Sequence, residues 1–269
     1  MSTETNSEDA HARELSARLL LYALEIVGDP GAAEALLASA AGRALRWTRP
    51  AEAEAAHRAM LRAVTVVSHG PLNRCPRHPL PADLLPPGDQ FDHEVESALS
   101  ALSGRERAAL LLVLVEGYSY EQCASVLGTT SANAGMLVYR ARAALRARLV
   151  GAPGEGLTTT SSSVLPSTNQ RISRVLRSDC RQAGAFISAD IDGELNDKQR
   201  AVLTAHMDSC GVCGEERARL EQTSVVVASH WRLVLGQLIA GGWSHRAERA
   251  AARGSLPTME VVRLKRMRL

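Results

Sequence analysis

Apolar positions, most of them Ala and Leu, recur at helical spacing in blocks that short polar segments with Pro, Gly or Ser separate. In the first part of the chain this pattern predicts three helices, over about 12–27, 31–47 and 51–68. Their boundaries fall at Gly28-Asp29-Pro30 and Thr48-Arg49-Pro50, because proline is well tolerated at a helix start. Residues 1–10 are acidic and polar, so we predict disorder there and a helical domain over 11–68.

Two segments have the composition of linkers. Residues 69–91 carry six prolines and are predicted to be extended. Residues 150–169 are rich in Gly, Ser and Thr and are predicted to be flexible. These segments leave two further domains, over 92–149 and 170–224, and a remainder, 225–269, that holds an apolar helix and a basic tail.

The domain over 92–149 has the end signals of three short helices. Two capping boxes are predicted to start the first two helices: Ser103 with Glu106, and Ser119 with Gln122. Gly128 follows the last apolar residue of the second helix, where a left-handed residue is needed, and Thr130 can cap the third helix. Three capped helices at this spacing predict a helix-turn-helix, which lays its last helix in the major groove of DNA.

The third helix of this domain has two kinds of position. Its apolar face is predicted to pack on the other two helices, and consists of Ala134, Val138, Ala141 and Leu145. Its C-terminal half carries arginines that could contact phosphates without recognising sequence, namely Arg140, Arg142, Arg146 and Arg148. The alternative is a plain three-helix bundle whose arginines face water.

The domain over 170–224 contains four residues of the types that bind zinc, in the pattern Cys180-x25-His206-x3-Cys210-x2-Cys213. Two thiolates can hold one ion from the Cys210–Cys213 turn, and His206, four residues before Cys210, is predicted to lie one helical turn away on the same helix face. Asn196 and Gln199 form a cap-like pair for the helix that carries His206. So small a unit needs a staple, which structural zinc would supply.

Alternative interpretations without a metal remain open for these cysteines and histidines. Cys210 and Cys213 could be a redox pair, Cys180 a buried apolar residue, and His206 a surface histidine. Cys123 lies at an apolar helix position and is predicted to be core, and Cys75 is a lone thiol in the first linker.

The composition supports an all-α fold, because 45% of residues are hydrophobic and only 3% are aromatic. Ala and Leu are the best helix formers, whereas the β-branched and aromatic runs that favour strands are scarce. We therefore predict two small helical domains, the second a helix-turn-helix, joined by the Pro-rich linker. A small zinc-stapled helical domain follows them.

Several function classes are disfavoured. The acidic N-terminus is unlike a signal peptide, and polar residues interrupt the best membrane candidate, Val225–Trp243, so we expect a cytoplasmic protein without a membrane partner. We find no Gly-rich phosphate loop, no nucleophile motif and no open metal site beside a general base, so we expect no enzyme. A net charge of +2 does not by itself indicate nucleic-acid binding.

Residues 102–149 resemble the C-terminal domain of extracytoplasmic-function RNA polymerase sigma factors, a bacterial family whose C-terminal domain recognises the promoter −35 element. The resemblance lies in Arg105-Glu106-Arg107, Glu116-Gly117-x-Ser119-Tyr120-Glu121, Leu127-Gly128-Thr129 and Arg140-Ala141-Arg142. It implies core RNA polymerase and promoter DNA as partners. The implied DNA contacts are Thr130, Ser131, Asn133, Met136, Tyr139, Arg140, Arg142 and Arg146. Gly135 and Leu137 stand where the family usually carries basic residues.

Residues 16–68 are similar to the N-terminal domain of the same family, which binds the polymerase and the −10 element. The similar pieces are Gly28-Asp29-Pro30, Ala33-Glu34, Leu36, Arg43-Ala44-Leu45 and Arg58-Ala59-x-Leu61. Polar contact positions of the family are replaced here by small or apolar residues: Ala35, Ala38, Ser39, Met60, Val66 and Val67. The alternative for 11–68 is a helical bundle of another role.

Residues 180–213 resemble the zinc-binding domain of anti-sigma factors, which covers the polymerase-binding surface of a sigma factor. The resemblance lies in Cys180, Phe186-Ile187-Ser188-Ala189, Asp192-Gly193-Glu194-Leu195 and the His206-x3-Cys210-x2-Cys213 block. It implies that Cys180, His206, Cys210 and Cys213 bind a structural zinc ion. Some members release zinc on oxidation, so Cys210 and Cys213 are candidate redox thiols.

Two functions follow from these resemblances. The first is an initiation factor of the extracytoplasmic-function type, which the tethered zinc domain restrains through an intramolecular contact. The second is a sigma-derived interaction regulator that no longer starts transcription and binds a sigma or anti-sigma partner. The replaced contact residues favour the second, and the arginines and intact caps favour the first.

Overall fold

The computed structural model describes residues 2–47, 53–68, 77–85, 90–149 and 183–243. These residues form helices and no strand, which confirms the all-α prediction. The helices are α1 (Ser2–Val27), α2 (Pro30–Trp47), α3 (Ala53–Val67), α4 (Gln90–Ser100), α5 (Gly104–Leu114), α6 (Tyr120–Leu127), α7 (Ser131–Leu149), α8 (Ala183–Ile191), α9 (Asp197–Met207) and α10 (Gly211–Ala240). No helix in the described part of the chain is both long enough and apolar enough to span a membrane.

The helix bounds differ from the sequence prediction at the N-terminus. Helix α1 begins at Ser2, so it includes most of the segment for which the polar composition predicted disorder. Glu4, Glu8 and Ala10 of this segment are good helix formers, and helix propagation from a packed helix is easier than nucleation. The second linker, 150–169, and Cys180 lie outside the described residues.

The described residues divide into two compact units, 1–104 with 230–269, and 105–229. In the first unit, helices α1 to α3 pack around a core that includes Leu20, Leu24, Leu37, Leu61 and Val64. Gly28 ends α1 with a φ of 77°, and a Cβ there would come within 2.7 Å of the His78 carbonyl oxygen. Glycine is therefore required where Arg77 and His78 pass the end of α1.

Part of the predicted first linker belongs to this core. Residues 77–85 hold a short 3₁₀ turn, Ala82–Leu84, and the side chains of Leu80, Leu84 and Leu85 are buried. Proline content predicted an extended segment but gave no sign of this burial. The segment packs because its leucines are buried and Arg77 forms ion pairs with Glu25 and Glu96, which are distant in the sequence.

The first unit contains a largely buried ionic cluster that consists of Glu25, Arg77, Asp92, Glu96 and His230. Arg77 donates to Glu25 over 2.8 Å and to Glu96 over 2.5 Å, and the Leu80 amide donates to Glu96 over 2.7 Å. Trp231 donates its indole N–H to Glu25 over 3.0 Å. The cluster therefore joins α1, α4, the 77–85 segment and the C-terminal part of α10.

His230 brings a titratable group into this cluster. Its Nδ1 lies 3.0 Å from Asp92 and its Nε2 lies 3.5 Å from Glu96. Burial acts to lower the pKa of His230, but its hydrogen bonds to Glu96 and Asp92 and the charges of Glu96 and Glu25 outweigh burial and raise it above 6.5.

A pH dependence of stability follows from His230. The raised pKa means that its contribution to folding stability is fully present below pH 6.5 and is lost as pH rises through the higher folded-state pKa. We expect the wild-type chain to be more stable than His230→Gln at pH 6, with the difference shrinking toward pH 9. Thermal unfolding of both proteins across this range measures it. An equal difference at both ends would contradict a charged His230.

Candidate functional site: the helix-turn-helix and the metal-ligand cluster

Helices α6 and α7 of the second unit begin, and α6 ends, as the local sequence predicts. Ser119 accepts from the Gln122 amide, and the Gln122 side chain accepts from the Ser119 amide, so the capping box is complete. Gly128 ends α6 with a φ of 63°, which confirms the left-handed cap. Thr130 accepts from the Asn133 amide at the start of α7. Cys123 is fully buried, and burial raises the pKa of its thiol to about 12.

The predicted DNA contacts on α7 lie in different environments. Four of them are exposed, namely Thr130, Ser131, Asn133 and Arg140. Met136 is 7% exposed and Tyr139 is half-buried. Arg142 and Arg146 are 0% and 3% exposed, so in this conformation their guanidinium groups are not open to a phosphate. Whether any of these residues binds DNA stays a prediction.

Arg142 is held by side chains of α8, α10 and the turn after α8. Its two terminal nitrogens form a fork with Asp192, over 2.7 and 2.5 Å. One of them also donates to the Ser188 hydroxyl over 2.8 Å, and Nε donates to the Ser224 hydroxyl over 2.7 Å. Each guanidinium nitrogen thus has an acceptor, which a fully buried cation needs.

Arg146, one helical turn further along α7, is also paired with a buried carboxylate, through one terminal nitrogen. Its guanidinium donates to both carboxylate oxygens of Glu216. Glu216 is 2% exposed, so this pair is shielded from water. Burial has the largest influence on Glu216 and raises its pKa above 4.5, against the positive charge of Arg146, which lowers it.

Two acidic groups contact the start of α6. The Tyr120 amide donates to Glu194 over 2.9 Å, and the Tyr120 hydroxyl donates to Asp192 over 2.7 Å. Sequence reasoning quoted Asp192-Gly193-Glu194-Leu195 only as part of a resemblance and missed Glu216 altogether. Their contacts could not be read from the sequence, because the partners lie 50 to 74 positions away.

A glycine allows α8 to approach α7 closely. A Cβ at Gly184 would lie 2.5 Å from the hydroxyl oxygen of Tyr139, and 2.8 and 2.9 Å from two of its ring carbons. Only a residue without a side chain fits at this point without displacing the tyrosine. The requirement is one of space, since Gly184 lies within the helix.

Three of the four predicted metal ligands come together between α9 and α10. The ligand atoms of His206, Cys210 and Cys213 all lie within 4.8 Å of one another, and His206 Nε2 is 3.1 Å from the Cys213 sulfur. Ligand atoms around a tetrahedral zinc ion are separated by ~3.4–3.8 Å, so this group can close on a metal with small shifts. The fourth predicted ligand, Cys180, is outside the described residues.

The local geometry corrects one detail of the prediction. Helix α9 ends at Met207, so His206 and Cys210 do not share one continuous helix face. Cys210 follows a turn, and α10 begins at the next residue. The Asn196–Gln199 capping box that starts α9 is complete, as predicted.

The zinc assignment gives a direct prediction. We expect the purified chain to bind about one equivalent of zinc, and the variant Cys210→Ser with Cys213→Ser to bind almost none, because thiolates supply most of the affinity. Elemental analysis after dialysis measures this. Cys123→Ala removes a thiol that faces the core and is the control that keeps its zinc. Equal zinc content in all three proteins would refute the ligand set.

Comparison with known families agrees with this geometry. Residues 92–145 match the family described as “Sigma-70, region 4”, and residues 180–214 match the family described as “Putative zinc-finger”. Neither match extends to residues 11–68, whose likeness to a sigma-factor N-terminal domain stays a prediction. No curated protein and no solved structure matches the chain. The two family matches confirm the resemblances predicted for these two segments: residues 92–145 are similar to region 4 of sigma factors, and residues 180–214 are similar to a zinc-finger domain of the anti-sigma type.

Proposed function

We propose that this protein is a non-enzymatic initiation factor that binds core RNA polymerase and promoter DNA, and that its own zinc-finger domain restrains it. The region 4 match supports a role at promoters, because this region recognises the −35 element in sigma factors. Residues 11–68 would bind the polymerase and the −10 element. Such a factor acts where transcription occurs, in the bacterial cytoplasm.

The observation that carries the proposal is the burial of Arg142 and Arg146 against Asp192 and Glu216. Both arginines belong to the third helix of the helix-turn-helix, and both carboxylates belong to the part of the chain that follows residue 182. A tether within one chain gives an effective concentration on the order of millimolar, so even a weak contact of this kind is well populated.

Zinc has a structural role in this proposal. Cys180, His206, Cys210 and Cys213 would hold the ion and fix the ends of α9 and α10. Glu216 lies one turn beyond Cys213 on α10, so a metal that orders this turn would also position the partner of Arg146. Oxidation of Cys210 and Cys213 would remove two ligands and loosen the same turn.

The same burial also favours the second candidate, a protein-interaction regulator. Arginines that are already paired with carboxylates of the same chain do not require DNA phosphates as partners. In that case a sigma or anti-sigma partner would take the place of the promoter. Transcription assays separate the two candidates.

The test is run-off transcription from fragmented genomic DNA with bacterial core polymerase. The zinc-finger domain could be removed by ending the chain after residue 160. That truncation would also remove Trp231 and His230 from the core of the first unit, so the test uses full-length variants. We expect discrete transcripts that become stronger with Asp192→Asn and Glu216→Gln together. No transcript from the folded wild-type chain or the variant would favour the interaction regulator.

A further inference from the structure

The helix-turn-helix presents three donor groups to acidic side chains of the same unit. They are the Tyr120 amide at the start of α6, the Arg142 fork and the Arg146 guanidinium, which bind Glu194, Asp192 and Glu216 respectively. The three donor positions follow one another along α6 and α7. This series of three donor–carboxylate contacts distinguishes the surface from a single structural ion pair.

These donors are of the kinds that bind DNA phosphates. Helix N-termini offer free amides to phosphate oxygens, and an arginine fork donates the same two parallel hydrogen bonds to a carboxylate or to a phosphate. In a helix-turn-helix the first helix crosses the DNA backbone and the second lies in the major groove. The start of α6 is therefore expected near the phosphate backbone, and α7 in the groove between the two backbones.

We propose that Asp192, Glu194 and Glu216 imitate three phosphates of a DNA backbone, so that the zinc-finger half of this unit and duplex DNA occupy the same donors and exclude each other. The proposal rests on the proposed function, since it takes the helix-turn-helix to be a DNA-binding element. It adds the mode of restraint, which is direct electrostatic competition at named atoms.

Burial supports competition over a loose charge attraction. Arg142 is 0% exposed and its fork is completed by the Ser188 and Ser224 hydroxyls, so no second anion can reach it while Asp192 is bound. DNA can engage this arginine only after α8 has moved away.

The experiment measures the affinity of the full-length chain for a labelled 30-base-pair duplex of arbitrary sequence. The test variant combines Asp192→Asn, Glu194→Gln and Glu216→Gln. The matched control combines Asp197→Asn, Glu215→Gln and Glu221→Gln, which removes the same charge from exposed positions of the same half. We expect the test variant to bind at least about tenfold more tightly than the control, because the donors no longer have an internal competitor.

Two further measurements test the proposal without relying only on the affinity of the triple variant. The test variant is expected to show a plot of log affinity against log salt that is steeper than the control by about 1.8, since two more arginines meet phosphates. Gly184→Leu changes no charge but pushes α8 from Tyr139, and is also expected to tighten DNA binding. Gly236→Leu is its control, because a Cβ there meets nothing within 4 Å.

Hydrogen exchange on the wild-type chain tests exclusion itself. Saturating duplex is expected to increase exchange at residues 183–192. Unchanged exchange with bound DNA, or equal affinity in the test and control variants, would overturn the mimicry. If the mimicry fails these tests but the chain still gives transcripts, the proposed function stands. If the mimicry passes them but no transcript forms, only the proposed function is refuted.

Discussion

Replacing Asp192 with alanine is expected to lower the free energy of unfolding of the second unit by about 3–5 kcal/mol, the cost of leaving a buried cation without its partner. Arg142 would keep only neutral hydroxyl and carbonyl acceptors, and Tyr120 would lose the acceptor of its hydroxyl. Burial already raises the pKa of Tyr120 well above 10.0, and the negative charge of Asp192 adds to this, so the phenol remains a neutral donor that needs an acceptor.

The loss of stability in Asp192→Ala cannot exceed the free energy needed to separate α8 from α7. If α8 separates from α7, Arg142 regains water. A loss well below 3 kcal/mol, with faster hydrogen exchange in α8, would therefore indicate easy opening. No loss and no faster exchange would contradict the buried pair.

Two variants define the contribution of the pair. Arg142→Met with Asp192→Leu replaces both charges by apolar groups and is expected to recover most of the stability, as is typical of buried pairs. Asp197→Ala removes a carboxylate whose side chain is fully exposed and 3.4 Å from Arg200, and is expected to change stability little. Denaturant unfolding with zinc present measures all three variants.

Replacing Arg77 with methionine is expected to destabilise the first unit by a similar amount, about 3–5 kcal/mol. Glu25 and Glu96 are 0% and 1% exposed, and Arg77 donates to both. Burial acts to lower the pKa of Arg77, yet the charges of Glu25 and Glu96 outweigh it and keep the guanidinium charged. Without that charge, two carboxylates would remain in the core with His230 as the cation that still faces Glu96.

The pH dependence of the Arg77 variant gives a second readout. Buried carboxylates that lose their cation have raised folded-state pKa values, so their penalty falls when they are protonated. We expect the stability difference between wild type and Arg77→Met to shrink as pH falls from 7 to 5. Arg18→Met, which breaks the part-exposed pair with Glu14, is the control and is expected to be nearly neutral. A pH-independent difference would refute the two buried carboxylates as its cause.

The sequence by itself determined the elements whose causes are local. The Ser119–Gln122 and Asn196–Gln199 capping boxes and the Gly128 cap depend on atoms within four residues, so each was predictable from the spacing of residue types. The all-α class followed from the abundance of Ala and Leu. The ligand types and spacing likewise identified His206, Cys210 and Cys213 as a group before any geometry was known.

Only the tertiary structure decided what the charged residues do. An arginine on a helix face looks the same in the sequence whether it meets water, DNA or a carboxylate, and the partner of Arg142 lies 50 residues away. The 77–85 segment and Glu25 carried no local sign of burial, since Trp231, which binds Glu25, is 206 residues away. Desolvation forces every buried charge to find a partner, and the chain's path in space decides which partner that is.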